Sequence, residues 1–66
     1  MIADNLYRLR VYKAHLNQID LASKSGVSRH AISKAERGLT KPHMATIQKL
    51  AQALEVEVGE LLDRGK

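Results

Sequence analysis

The chain has 66 residues, no cysteine and a formal charge of +4, with a pI near 9.8. That length supports one small domain with a core that is marginal by burial alone. The lack of cysteine removes disulfide frameworks and thiolate metal sites, and matches the usage of a reducing compartment. No apolar run approaches the roughly 20 residues of a bilayer-spanning helix, and Met1-Ile2-Ala3-Asp4 lacks the regions of a secretory signal. The expectation is a cytoplasmic protein with no membrane association. Basicity favours an anionic partner without separating DNA, RNA and lipid, and on a solvated surface it can serve solubility alone.

The apolar pattern predicts helices along the whole chain. The first runs from Asp4, as N-cap, to Lys13, with Leu6, Leu9 and either Tyr12 or the stem of Lys13 turned inward. The second spans Gln18 to Ser25 behind Asn17, whose short side-chain oxygen can accept from the free amides of a first turn. The third opens at Ser28, another good N-cap, and stops at Gly38, a residue suited to the left-handed position that ends a helix. Leu39-Thr40-Lys41-Pro42 reads as a loop, with Pro42 starting the fourth helix, where its missing amide hydrogen is not needed. Met44, Ile47, Leu50, Ala51 and Leu54 then form an apolar stripe, read as core and not as a ligand site. Val56, Val58, Leu61 and Leu62 close the core in a short fifth helix, before a fraying Asp63-Arg64-Gly65-Lys66. There is no repeat or linker: residues 6–62 are read as one domain, with 1–5 and 63–66 as terminal segments.

Residues 18–37, QIDLASKSGVSRHAISKAER, hold the residue types that two short helices crossing steeply require. Leu21 and Val27 supply apolar packing on either side of a turn that Gly26 permits, and Ala22 is small enough for close approach. Ile32 and Ala35 face the following helix inward. At ~100° per residue, Arg29, His30, Ser33, Lys34 and Arg37 share an outer arc of roughly 140°.

In these residues and their flanks the chain resembles the Cro/cI-type, or XRE-like, helix-turn-helix proteins of the phage-repressor group. The resemblance rests on Leu16-Asn17-Gln18-Ile19-Asp20-Leu21-Ala22, Gly26-Val27-Ser28, Ile32 to Gly38, Lys41-Pro42, Lys49 to Leu54 and Glu60-Leu61-Leu62, so it covers Leu6 to Leu62. It implies an all-α fold, a compact five-helix bundle of the phage repressor DNA-binding domain type, with the helix-turn-helix formed by helices 2 and 3. It further implies a sequence-specific binder of double-stranded DNA that acts as a transcriptional regulator of the repressor kind. One departure concerns the family's helix-one arginine, expected five positions before Leu16, where Val11 stands. Arg10 lies one residue earlier, so the turn is read as one residue longer, with Ala14-His15 where one glycine is common and an Arg10–Glu36 ion pair retained.

Such a recognition helix enters the major groove N-terminus first, which makes Arg29 and His30, then Lys34 one turn on, the candidates for base edges. Arg29 matches the two acceptors of guanine; His30 can donate to guanine or thymine acceptors or stack on a thymine methyl. Two roles stay open for Ser33, a base contact or a cap on its own backbone, and two for Arg37, a phosphate contact or a pair with Glu36. Asn17 and Gln18 sit at a helix N-terminus that favours phosphate, the role the family gives its glutamine, and Ser28, Thr40, Lys41 and His43 are assigned to the DNA backbone from flanking loops. One helix-turn-helix reads too few bases to be selective, so the expectation is a homodimer on a two-fold operator. Val56, Val58 and Leu61 lie in the family's usual dimer surface.

Three other classes have weaker support. Catalysis lacks a nucleophile with its base or a Gly-rich phosphate loop, and His15, His30 and His43 lack metal-ligand spacing; no cofactor is expected. RNA binding usually relies on exposed aromatic platforms, and the chain has two tyrosines and neither Phe nor Trp. An antitoxin, with a protein partner besides its promoter, or a restriction-system controller is the alternative that shares the pattern.

Overall fold

Leu6, Leu21, Ile32, Leu50, Leu54 and Leu61 lose essentially all contact with solvent, and between them they come from all five α-helices of the described residues. The computed structural model describes residues 2–62. Over these the order is α1 (Ile2–Arg8), a π-helical turn (Leu9–Lys13), α2 (Gln18–Ser25), α3 (Arg29–Glu36), α4 (Met44–Leu54) and α5 (Val58–Leu62), with no strand among the described residues. Helix α1 packs on α3 and α5, α2 on α3 and α4, and α4 on α5. No helix of the described residues is long and apolar enough to cross a membrane.

The helix ends follow the capping chemistry. Asn17 Oδ1 accepts from the Asp20 amide at 2.7 Å and Ser28 Oγ from the Ala31 amide at 3.1 Å. Gly26 closes α2 at φ 78°, with its amide bonded to the Ala22 carbonyl, and Gly38 follows α3 at φ 73°. These are the left-handed positions for which glycine carries no Cβ penalty. The stop of α4 differs, because Glu55 takes the same conformation at φ 60° without being glycine.

Several expectations need correction. Helix α1 runs from Ile2, so Asp4 lies inside its first turn instead of capping it; Ala3 and Asn5 are buried. Asn5 Nδ2 donates to the Leu61 carbonyl at 2.9 Å, which ties α1 to the end of α5. Tyr12 and Lys13 both face solvent. The extra residue before α2 is absorbed within the first helix: the chain widens into a π-helical turn, with the Ala14 amide bonded to Leu9 and the Leu16 amide reaching back to Arg10. His15 then turns the chain at φ 57°. Pro42 does not start α4, because His43 is its N-cap and Met44 its first residue. Met44 is half exposed, so the inner stripe begins at Ile47, one turn later. The expectation that 63–66 fray lies outside the described residues.

Candidate nucleic-acid interface

Helix α3 divides as its sequence pattern requires. Ile32 and Ala35 are buried against the core, while Arg29, His30 and Arg37 stand exposed on the opposite side with Ser33 and Lys34 partly exposed between them. An α-helix with its side chains is about 10–12 Å across, which a major groove about 12 Å wide admits. The Ser28 cap leaves its hydroxyl hydrogen free to donate, because only the oxygen is used by the Ala31 amide. Asn17 likewise spends its carbonyl oxygen on the Asp20 amide and keeps its NH₂.

Thr40, Lys41 and His43 are exposed on the α3–α4 loop, which runs beside Ala31 and Ala35 of α3 over a small cleft floored by Val27 and Leu50. The sequence-predicted recognition residues and this loop therefore border the same helix. Gln18 is placed differently from a free surface amide: it is partly buried, and its Nε2 donates to Glu36 Oε1 at 3.0 Å.

Glu36 is the centre of that arrangement. Arg10 grips its carboxylate with two parallel bonds, Nε to Oε2 at 2.6 Å and Nη2 to Oε1 at 2.9 Å, and spends Nη1 on the Leu16 carbonyl at 2.9 Å. The ion pair expected from the helix-one register is therefore present, and the Arg10 and Glu36 side chains are only 10% and 4% exposed. The hydrogen bond to Glu36 is the main reason the Arg10 guanidinium is held above its ordinary pKa; burial opposes the shift, and the charges of Glu36 and Tyr7 add to it. Of the two roles open to Arg37, pairing with Glu36 loses its ground, because Glu36 is engaged by Arg10 and Gln18. Sequence reasoning reached the Arg10–Glu36 pair but missed Gln18 as its third member, a contact made across 18 positions of chain that no local spacing encodes.

The third group of expected site residues needs one correction. Leu61 is 1% exposed and belongs to the core, so it offers no surface to a partner. Val56 and Val58 are partly buried against that core, and Leu62, next to Leu61, is the exposed apolar residue of α5.

Two capped helices joined through a left-handed glycine, the second with one buried and one basic exposed face, define a helix-turn-helix domain. The family model for helix-turn-helix proteins matches residues 6–61, and the chain belongs to that family, in its XRE-like branch. It is 46% identical over 59 residues to the HTH-type transcriptional regulator SlrR of Bacillus subtilis, covering 88% of this chain and 37% of SlrR. It is 39% identical over 62 residues to y4dJ of Sinorhizobium fredii, described as an uncharacterised HTH-type transcriptional regulator, covering 94% of this chain and 79% of y4dJ. The crystal structure of the restriction-modification controller protein C.AhdI from Aeromonas hydrophila superposes with a TM-score of 0.85 at 38% identity, over 91% of this chain and 89% of that one. The chain spans little more than a third of the length of SlrR and of other curated relatives that it matches.

Proposed function

We propose that the protein is a sequence-specific DNA-binding transcriptional regulator, a repressor that occupies an inverted-repeat operator as a dimer. The observation that carries this reading is the exposed basic face of α3 on a helix capped and packed as a recognition helix. Arg29, His30, Lys34 and Ser33 are assigned to base edges. Asn17, Gln18, Ser28, Arg37, Thr40, Lys41 and His43 are assigned to the sugar-phosphate backbone. One chain carries one recognition helix and reads too few base pairs to be selective, so an operator with two half-sites takes two copies. Val56, Val58 and Leu62 are the apolar groups assigned to their contact.

Selection of bound duplexes from a random pool tests the reading, with wild type set beside Arg29→Ala and Lys34→Ala. The expected result is an enriched inverted repeat in which each variant loses preference at one position of the half-site, by about 1–3 kcal/mol for a bidentate contact. Enrichment of no sequence, with salt-sensitive binding alone, would refute specific readout.

A second reading is favoured by the likeness to C.AhdI, which extends over nearly the full length of both chains. On that reading the chain is a restriction-system controller that regulates its own promoter. The selected operator lying upstream of its own gene and a neighbouring methyltransferase or endonuclease gene would support it; an operator found only at unrelated promoters would not.

A further inference from the structure

Gln18 opens α2, at the helix N-terminus assigned above to phosphate, and its carboxamide is already committed to Glu36 Oε1 at 3.0 Å. A carboxylate only accepts, so the amide nitrogen must face Glu36; the opposite flip would set a carbonyl oxygen against a carboxylate. Glu36 cannot swing away, because Arg10 holds both of its oxygens and is itself anchored on the Leu16 carbonyl. An unbroken chain of hydrogen bonds thus runs from the end of the first helix, through the C-terminal end of α3, to the first residue of α2.

We propose that Arg10 and Glu36 are positioning residues for DNA-backbone binding, a pair that locks the Gln18 carboxamide with its second Nε2 hydrogen directed at a phosphate oxygen. The inference rests on the DNA-binding reading and deepens it. A glutamine on an open surface loses rotamer freedom when it grips a ligand, whereas one held beforehand does not. The pairing also matters for charge. Glu36 alone would place a negative group behind the phosphate contact, and the Arg10 guanidinium cancels it, so Gln18 is oriented without repelling the backbone it meets.

The test is a double-mutant cycle read as affinity for duplex DNA of random sequence. Gln18→Ala is made in wild type and in a background where Arg10→Met and Glu36→Leu replace the buried pair by apolar residues of similar size, a change that commonly preserves a fold. In wild type, Gln18→Ala lowers affinity by about tenfold, the size of one hydrogen bond to a charged group. The slope of affinity against salt stays unchanged, because a neutral amide releases no counterion. In the apolar background the same substitution costs less than about threefold, because the unanchored amide has rotamer freedom to lose. An equal loss in both backgrounds would overturn the inference and leave the pair a purely structural element. Failure of wild type to bind any duplex refutes the DNA-binding reading beneath it, and is recognised before any substitution is made. A second measurement needs no variant: side-chain amide ¹⁵N relaxation in the free protein is expected to find Gln18 more ordered than the exposed Gln48 and Gln52, and equal mobility would overturn the proposal.

Discussion

Removing Glu36 from the buried pair leaves Arg10 charged inside the protein without a countercharge, although its bond to the Leu16 carbonyl remains. Glu36→Ala is therefore expected to cost about 3–5 kcal/mol, against a total stability of roughly 3–10 kcal/mol for a domain of this length. Urea unfolding followed by circular dichroism should show a variant near the edge of folding. Because the folded-state pKa of Arg10 is raised, the pair's contribution is complete below the unfolded-state value and is lost only as pH climbs through the higher folded one. Moderate alkali is accordingly expected to leave it intact. Glu55 offers the opposite case. It stops α4 at φ 60°, and its ion pair with Lys24 is long, 3.7 Å, and exposed on both sides. Glu55→Gly should relieve about 1 kcal/mol of left-handed strain and raise the melting temperature by about 4–8 °C. No rise on thermal unfolding would mean that the lost ion pair or added chain entropy outweighs the relief.

At the level of the helices, the π-helical turn shows how an insertion can be stored. Leu6 before it and Leu9 and Arg10 at its start keep the inward register they need, and Leu16 resumes packing after it, so the surplus residue is taken up where Val11, Tyr12 and Lys13 face largely outward. Deleting Tyr12 should return this turn to α geometry, with the fold and a cooperative melt retained. Deleting Gln48 should instead rotate Leu50, Ala51 and Leu54 away from Ile47 by about 100° and abolish folding. A Tyr12 deletion that unfolds the protein would show that the wide turn itself is required. The two N-caps carry a smaller test: Asn17→Ala is expected to cost about 1 kcal/mol of stability. These ends were legible in the sequence because a cap is a local bargain between a short side chain and an amide two or three residues away. Pro42 misled for a related reason. Its fixed φ suits a first helical turn, yet it equally suits the extended stretch that leads to His43, which caps α4 in an extended conformation at φ −67° and ψ 159°.

Across the whole molecule, the leucines that report on stability are those shared between helices. Leu50 is buried from the middle of α4, and Leu50→Ala should cost about 2–5 kcal/mol, a large part of the total, measured by the same urea titration. The sequence alone determined the all-helical class, the positions of α2 and α3, the left-handed glycines at 26 and 38, and the division of α3 into a buried and a basic side. Each of these follows from the 3.6-residue period or from contacts within one turn. Only the tertiary structure decided that Leu61 is core while Leu62 faces outward, that Met44 lies beyond the stripe, that Asn5 fastens α1 to α5, and that Gln18 joins Arg10 and Glu36. The physical reason is the same in each case: burial and hydrogen bonding at these positions depend on residues far away in the chain, whose approach is set by how five helices pack around one core and by no pattern within any of them.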